Sequence, residues 1–188
     1  MIDVEERVII VDQHDRALGE AGKLDVHLDG RLHRAFSVFG FNKAGDMLLQ
    51  KRALTKYHSP GLWANSCCGH PRPGEVTIEA AARRTHEELG FRPTLHASFQ
   101  TTYIANVGNV LIEHEYVHVF GCKVSALPQP NPAEASSVAF VSVDEVAKDT
   151  RQRPNSYAAW FLFYFSKHLD QIYAMSCAYK SLQKRSSS

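Results

Sequence analysis

Between Gly69 and Phe91 a glycine-led loop runs into a charged helical stretch, and no other segment constrains the fold as much. Gly69, Glu75, Arg83, Glu87, Glu88, Gly90 and Phe91 recur there at fixed spacings. Thr77–Leu89 fits a helix with Ile78, Ala81, Ala82, Thr85 and Leu89 on one face. Gly90 follows as a C-terminal cap. Arg84 and Glu88 stand one helical turn apart and can share a face. Just upstream lies Cys67-Cys68-Gly69-His70, which puts a thiol and an imidazole beside the same loop.

The remaining bounds are broad. A length of 188 residues fits a single domain spanning 1–188, with enough chain for a proper core. The 44% hydrophobic and 22% charged content is ordinary for a soluble protein. A formal charge of +1 gives no reason to expect nucleic acid as a partner. Ten histidines are the unusual count, because imidazole both ligates metals and carries protons near neutral pH. Four cysteines, two of them adjacent, do not form a secreted disulfide framework, so a cytoplasmic location is expected. No stretch reaches transmembrane length, and Met1-Ile2-Asp3-Val4-Glu5-Glu6 is too acidic for a signal peptide.

Along the chain, Val8–Val11 reads as a short strand followed by a turn over Asp12–Gly19. Ala35–Phe41 and Met47–Lys51 are strands joined by a hairpin. Ala53–Asn65 is a loop. Val110–Val124 is the longest strand, and Val138–Val143 is another. Ser156–Leu182 is mostly helical, and Ser186–Ser188 is expected to fray. Strands interleaved with a few helices predict a mixed α/β or α+β sandwich. The aromatic C-terminal helix could pack inward or against a second copy, so monomer and homodimer both remain open.

Glu113 and Glu115 are two apart in the long strand and therefore share a face with Leu111, Val117 and Val119. Two glutamates on an apolar face are costly to bury without a positive partner. A metal ion, an arginine pair, or exposure at a sheet edge would each meet that need. His27 and His33 precede the first long strand, and His70 follows Cys68-Gly69. Three imidazoles with two carboxylates suit Mn²⁺, Mg²⁺ or zinc. His114 and His118 alternate with the glutamates and should face the other side. Lys23, Arg52, Lys56 and Arg84 form a second group. With Glu88 carrying Mg²⁺, Arg84 could hold a diphosphate.

The segment from Gly69 to Phe91 resembles a Nudix box, except that Arg84 replaces a box glutamate and Thr85 an apolar residue. Further motifs narrow the resemblance. They are His27, Arg31-Leu32-His33-Arg34-Ala35-Phe36-Ser37, Lys51-Arg52-Ala53, Pro60-Gly61-Leu62-Trp63-Ala64-Asn65-Ser66-Cys67-Cys68-Gly69-His70-Pro71 and Ile112-Glu113-His114-Glu115. Over roughly residues 20–165 the chain is similar to type I isopentenyl-diphosphate isomerases of the Nudix superfamily. That resemblance implies a Nudix fold, a mixed β-sheet sandwich with flanking helices. It implies Cys68, rather than Cys67, as the catalytic cysteine, paired with Glu115. It implies a metal site of His27, His33, His70, Glu113 and Glu115, and a substrate-bridged Mg²⁺ at Glu88 and the Cys68 carbonyl. Diphosphate contacts would come from Lys23, Arg52, Lys56 and Arg84. Tyr103 would hydrogen-bond the catalytic glutamate, and Trp160 would cover the hydrocarbon tail.

The implied reaction interconverts isopentenyl and dimethylallyl diphosphate for isoprenoid biosynthesis. Protonation of the alkene gives a tertiary carbocation, and loss of a proton from another carbon completes the shift. Trp160 could stabilise the cation through its π face, and the site must exclude water. Two other activities fit a Nudix box. One is pyrophosphohydrolysis, which needs several acids around Mg²⁺, and the other is silent binding of a diphosphate metabolite.

Overall fold

The apolar run after Arg31 becomes the centre of one mixed sheet. The computed structural model describes residues 6–56, 58–108 and 110–181. Its strands are β1 (Arg7–Val11), β2 (Ala17–Gly22), β3 (His33–Phe41), β4 (Met47–Arg52), β5 (Trp63–Ala64), β6 (Cys67–Gly69), β7 (Leu95–Asn106), β8 (Ile112–Lys123) and β9 (Ala135–Val141). Its helices are α1 (Lys23–Asp29), α2 (Thr77–Leu89), α3 (Val143–Gln152), α4 (Ala159–Lys167) and α5 (Leu169–Ser181). β3 runs parallel to β8, from His33 opposite Glu115 to Phe41 opposite Lys123. Its other edge takes β6 antiparallel, with Ser37 opposite Cys68. β7 pairs the outer edge of β8, while β4 carries β5 and β9.

Strand alternation divides the core in two. Ala35, Phe39, Phe41, Val117 and Val119 meet Val146, Trp160, Phe161, Tyr164 and Ile172 of the C-terminal helices. Phe36, Val38, Phe120 and Cys122 point the other way, onto Ala80, Ala81 and Leu89 of α2. Each fully buried large apolar side chain stabilises the fold by about 1.5–3 kcal/mol. The outcome is the mixed α/β sandwich that the interleaved pattern predicts. At Gly40 a Cβ would stand 2.7 Å from Val124 Cγ2, so a larger residue at this end of β3 would force Val124 to move.

α2 has the predicted bounds, closed by Gly90 at φ +78° with its N–H bonded to the His86 carbonyl. Its buried face differs from the predicted one. Ile78 is exposed and Ala82 half-buried, whereas Ala80 and Glu88 join Ala81, Thr85 and Leu89 inside. The expected helix over Ser156–Leu182 is two helices separated at His168. That break seats the His168 ring on Phe99 at 4.9 Å and brings its Nε2 within 2.9 Å of Thr101 Oγ1. Leu182 and the frayed tail at 186–188 lie outside the described residues. Val143 opens α3 instead of ending a strand, because Ser142 and Glu145 form a reciprocal capping box. Part of the expected Asp12–Gly19 turn belongs to β2, and the Ala53–Asn65 loop contains β5.

Candidate active site

The register of β8 builds the site. Glu113, Glu115, Val117 and Val119 alternate onto the face covered by the C-terminal helices, as the spacing predicts. His114 and His118 face away, His114 toward the Gly30 carbonyl and His118 toward Asp15. The parallel ladder sets His33 beside Glu115, and the antiparallel one sets Tyr103 beside it from β7. The Tyr103 hydroxyl lies 2.8 Å from both Glu113 Oε2 and Glu115 Oε2, and its single proton serves one at a time.

Four of the five expected metal ligands converge. Ligand atoms of His27, His33, His70 and Glu115, all buried, lie within 4.8 Å of one another. His33 Nε2 is 3.2 Å from His70 Nε2 and 3.7 Å from Glu115 Oε1, and His70 Nε2 is 2.9 Å from that same oxygen. Nδ1 of His27 donates to the Lys23 carbonyl at 2.7 Å, and Nδ1 of His33 to the Arg31 carbonyl at 2.8 Å. A carbonyl only accepts, so in the neutral ring Nε2 is the atom left with the lone pair, the arrangement a metal-ligating histidine needs. Tetrahedral ligands about 2.0–2.1 Å from an ion stand roughly 3.3–3.4 Å apart, and the observed spacings bracket that value. The donor set therefore fits a divalent cation. Glu113 stays outside the convergence, tied to Tyr103 and 3.8 Å from His58 Nε2.

Burial opposes charge throughout this group. Burial pushes the Glu115 carboxyl up, but the neighbouring imidazoles of His33 and His70 outweigh it and hold the group well below the usual range. Burial and the Glu115 charge raise Glu113. Burial, His70 and His33 hold His27 down to about 3, so it stays neutral. His33→Ala is expected to lower bound metal and activity together, because the group loses a nitrogen at its centre. Metal analysis of the purified variant checks this, and full metal content with full activity would remove His33 from the site.

The two cysteines part company on β6. Cys67 is fully buried in the core beneath α2. Cys68 turns to the opposite face and lines a cavity of about 820 Å³ with Glu113, Glu115, Tyr103 and Trp160. Burial pushes its thiol well above the ordinary range, so it remains protonated near neutral pH.

The same cavity is lined by Lys23, Arg52, Lys56, His70, Arg84 and Glu88, whereas His27 and His33 lie beneath its wall. Arg52 donates to the His58 carbonyl from Nε at 3.3 Å, and its Cζ stands 5.2 Å from the Trp160 ring centre. Lys51, on the other face of β4, lies over Trp63. Arg84 grips Glu88 at 2.7 Å, and Gln50 donates to the second Glu88 oxygen. Glu75, Arg83 and Glu87 form a network that ties the loop to α2, and Glu87 joins it to Arg84 at 2.7 Å.

Sequence reasoning overlooked three contributors. Asn65, fully buried, accepts from Trp160 Nε1 at 3.2 Å and donates to the Val38 and Cys67 carbonyls. One amide thus orients the indole and fixes the turn before Cys68. The Tyr164 hydroxyl donates to Ser37, which faces the cavity opposite Cys68. Glu134 meets Lys56 and Arg84. No local pattern signals these contacts, because Trp160, Ser37 and Lys56 each lie far along the chain from their partners.

Residues 31–161 match the NUDIX domain. A solved structure from Deinococcus radiodurans superposes with a TM-score of 0.72 at 18% identity, covering 86% of this chain and 98% of that one. The MutT protein of Methanosarcina mazei Go1 gives a TM-score of 0.60 at 20% identity, over 74% of this chain and 94% of its own. Fold and cavity thus define a NUDIX-domain protein of the α/β class. An isopentenyl-diphosphate Delta-isomerase of Pectobacterium atrosepticum is 43% identical over 178 residues, 95% of this chain and 97% of its own length. Another, from Serratia proteamaculans, is 46% identical over 159 residues, 85% of this chain and 89% of its own. The chain belongs to the isopentenyl-diphosphate Delta-isomerase family of NUDIX proteins.

Proposed function

We propose that this protein isomerises isopentenyl diphosphate to dimethylallyl diphosphate with Cys68 and Glu115 as the acid–base pair. The observation that carries the reading is their meeting in one cavity, a half-buried thiol and a buried carboxylate that line the same space as Trp160. The reaction needs a group that gives a proton to one carbon of the alkene and another that takes a proton from a second carbon. Cys68 holds its proton on sulfur, and Glu115 offers an oxygen aligned by Tyr103 and His70. Trp160, fixed by Asn65, presents a π face that favours the tertiary cation between the two transfers. The buried part of the lining, Glu113, Glu115, Tyr103 and Trp160 among it, limits the water that would trap that cation.

His27, His33, His70 and Glu115, with Glu113 two residues along the same strand, are the proposed holders of a divalent cation such as Mn²⁺ or Zn²⁺. Such a cation supplies a fixed positive charge beside Glu115 that keeps it ionised and oriented. Glu88 and the Cys68 carbonyl are the proposed holders of Mg²⁺ arriving with the diphosphate. Lys23, Arg52, Lys56 and Arg84 grip the diphosphate itself. Among the described residues no helix is long and apolar enough to cross a membrane. The proposed partner is the small-molecule diphosphate, handled in the cytoplasm by a monomer or homodimer.

Incubation with isopentenyl diphosphate and Mg²⁺ tests the reading. Dimethylallyl diphosphate is the expected product, whereas inorganic phosphate would indicate hydrolysis and no change would indicate a binding module. Arg84→Ala is expected to raise KM roughly tenfold to a hundredfold, the worth of one charge-assisted contact of about 1.5–3 kcal/mol. A contact equally strong in ground and transition states leaves kcat less affected. Steady-state kinetics decides it, and a wild-type KM would make Arg84 a structural residue.

A further inference from the structure

Two of the cations assigned to the diphosphate already share an anion. Lys56 Nζ lies 2.6 Å from Glu134 Oε2, and Arg84 NH2 lies 3.4 Å from Glu134 Oε1. The three residues come from the loop after β4, from α2, and from the loop before β9, and all line the same cavity. Glu134 stands on a braced backbone. Its carbonyl accepts from the Ala53 N–H at 3.0 Å and its N–H donates to the Asn131 carbonyl at 2.9 Å. The Asn131 N–H in turn donates to the Glu88 carbonyl at 2.8 Å. The side chains of Lys56 and Glu134 are 22% and 20% exposed, so solvent screens the contact only in part.

Lys56 and Arg84 repel one another when nothing lies between them, and the Glu134 carboxylate offsets that repulsion. Its two oxygens occupy the kind of position that phosphate oxygens seek, one on the lysine and the other facing one nitrogen of Arg84, whose closer partners at 2.7 Å are Glu87 and Glu88. We propose that Glu134 is a resident anion of the diphosphate subsite. It orders Lys56 and Arg84 in the substrate-free protein and yields both contacts to the diphosphate on binding. Its charge thereby sets how tightly an anion is held and disfavours weakly charged anions. This rests on the isomerase reading, which assigns the diphosphate to these cations.

Glu134→Gln keeps the shape and one acceptor but removes the competing charge. Inorganic pyrophosphate with Mg²⁺ is the probe, measured by calorimetry on the full chain. The variant is expected to bind it about threefold to tenfold more tightly, with KM for isopentenyl diphosphate falling in parallel. Glu134→Asp, which keeps the charge, is expected to bind no more tightly than the wild type. A merely structural role would weaken binding in both variants, so unchanged or weaker binding by folded Glu134→Gln overturns the proposal. Tighter binding by Glu134→Asp equal to that of Glu134→Gln would also overturn it, because charge would then not be the cause. Absence of isomerisation by the wild type would instead overturn the isomerase reading, and the pyrophosphate measurement separates the two failures.

Discussion

Cys68→Ala is expected to lose isomerisation by at least about a thousandfold while still binding Mg²⁺–pyrophosphate like the wild type. Loss of a positioned proton carrier costs roughly 10²–10⁴-fold, and the upper part of that range applies because an unactivated alkene is too weak a base to take a proton from neutral water instead. The truncation leaves the cations that grip the diphosphate untouched. Cys67→Ala is the paired control. Its side chain lies in the opposite core, beneath α2, so it should stay active and lose only about 1 kcal/mol of stability from lost packing. Product formation, pyrophosphate titration and thermal unfolding of both variants form the experiment. An active Cys68→Ala beside a dead Cys67→Ala would invert the assignment.

Glu115→Gln is expected to have the larger effect of any conservative change, with product formation falling below detection. The carboxylate is the meeting point of Tyr103 at 2.8 Å, His70 at 2.9 Å and His33 at 3.7 Å. An amide in its place takes no proton at neutral pH and brings no negative charge to the histidines. Activity and bound metal should therefore fall together, while pyrophosphate binding at Lys56 and Arg84 persists. Retention of both activity and metal would exclude Glu115 from catalysis and from the cation site alike.

Much of the site was legible because strand alternation is strict. Two residues of spacing put Glu113 and Glu115 on one face and His114 and His118 on the other. The loop before α2 and the cap at Gly90 were likewise written in local spacing. β7 was not read, although Phe99, Thr101, Tyr103 and Ala105 keep a period of two. Its intervening positions are exposed, and pairing with β8 and packing of Phe99 and Tyr103 on Tyr164 and Phe163 hold it. α3 was missed despite its Ser142–Glu145 capping box, because Val138–Val143 looks like one apolar strand. Asn65 and Glu134 act on residues far away in the chain, and no local pattern announces such partners. Ile78 was misplaced because an all-apolar face was assumed, whereas the cavity draws Glu88 inward.

The parallel pairing of β3 with β8 also determines when the metal centre can exist. His33 and His70 are 37 residues apart, His70 and Glu115 a further 45, and no two of the four converging ligands are neighbours in the chain. No partly made chain holds the complete set before β8 has been synthesised and has docked beside β3, a slow step of high contact order. An ion held by these four residues would therefore meet its full ligand set only after β8 has docked, and would draw the early and late segments of the chain together by mass action.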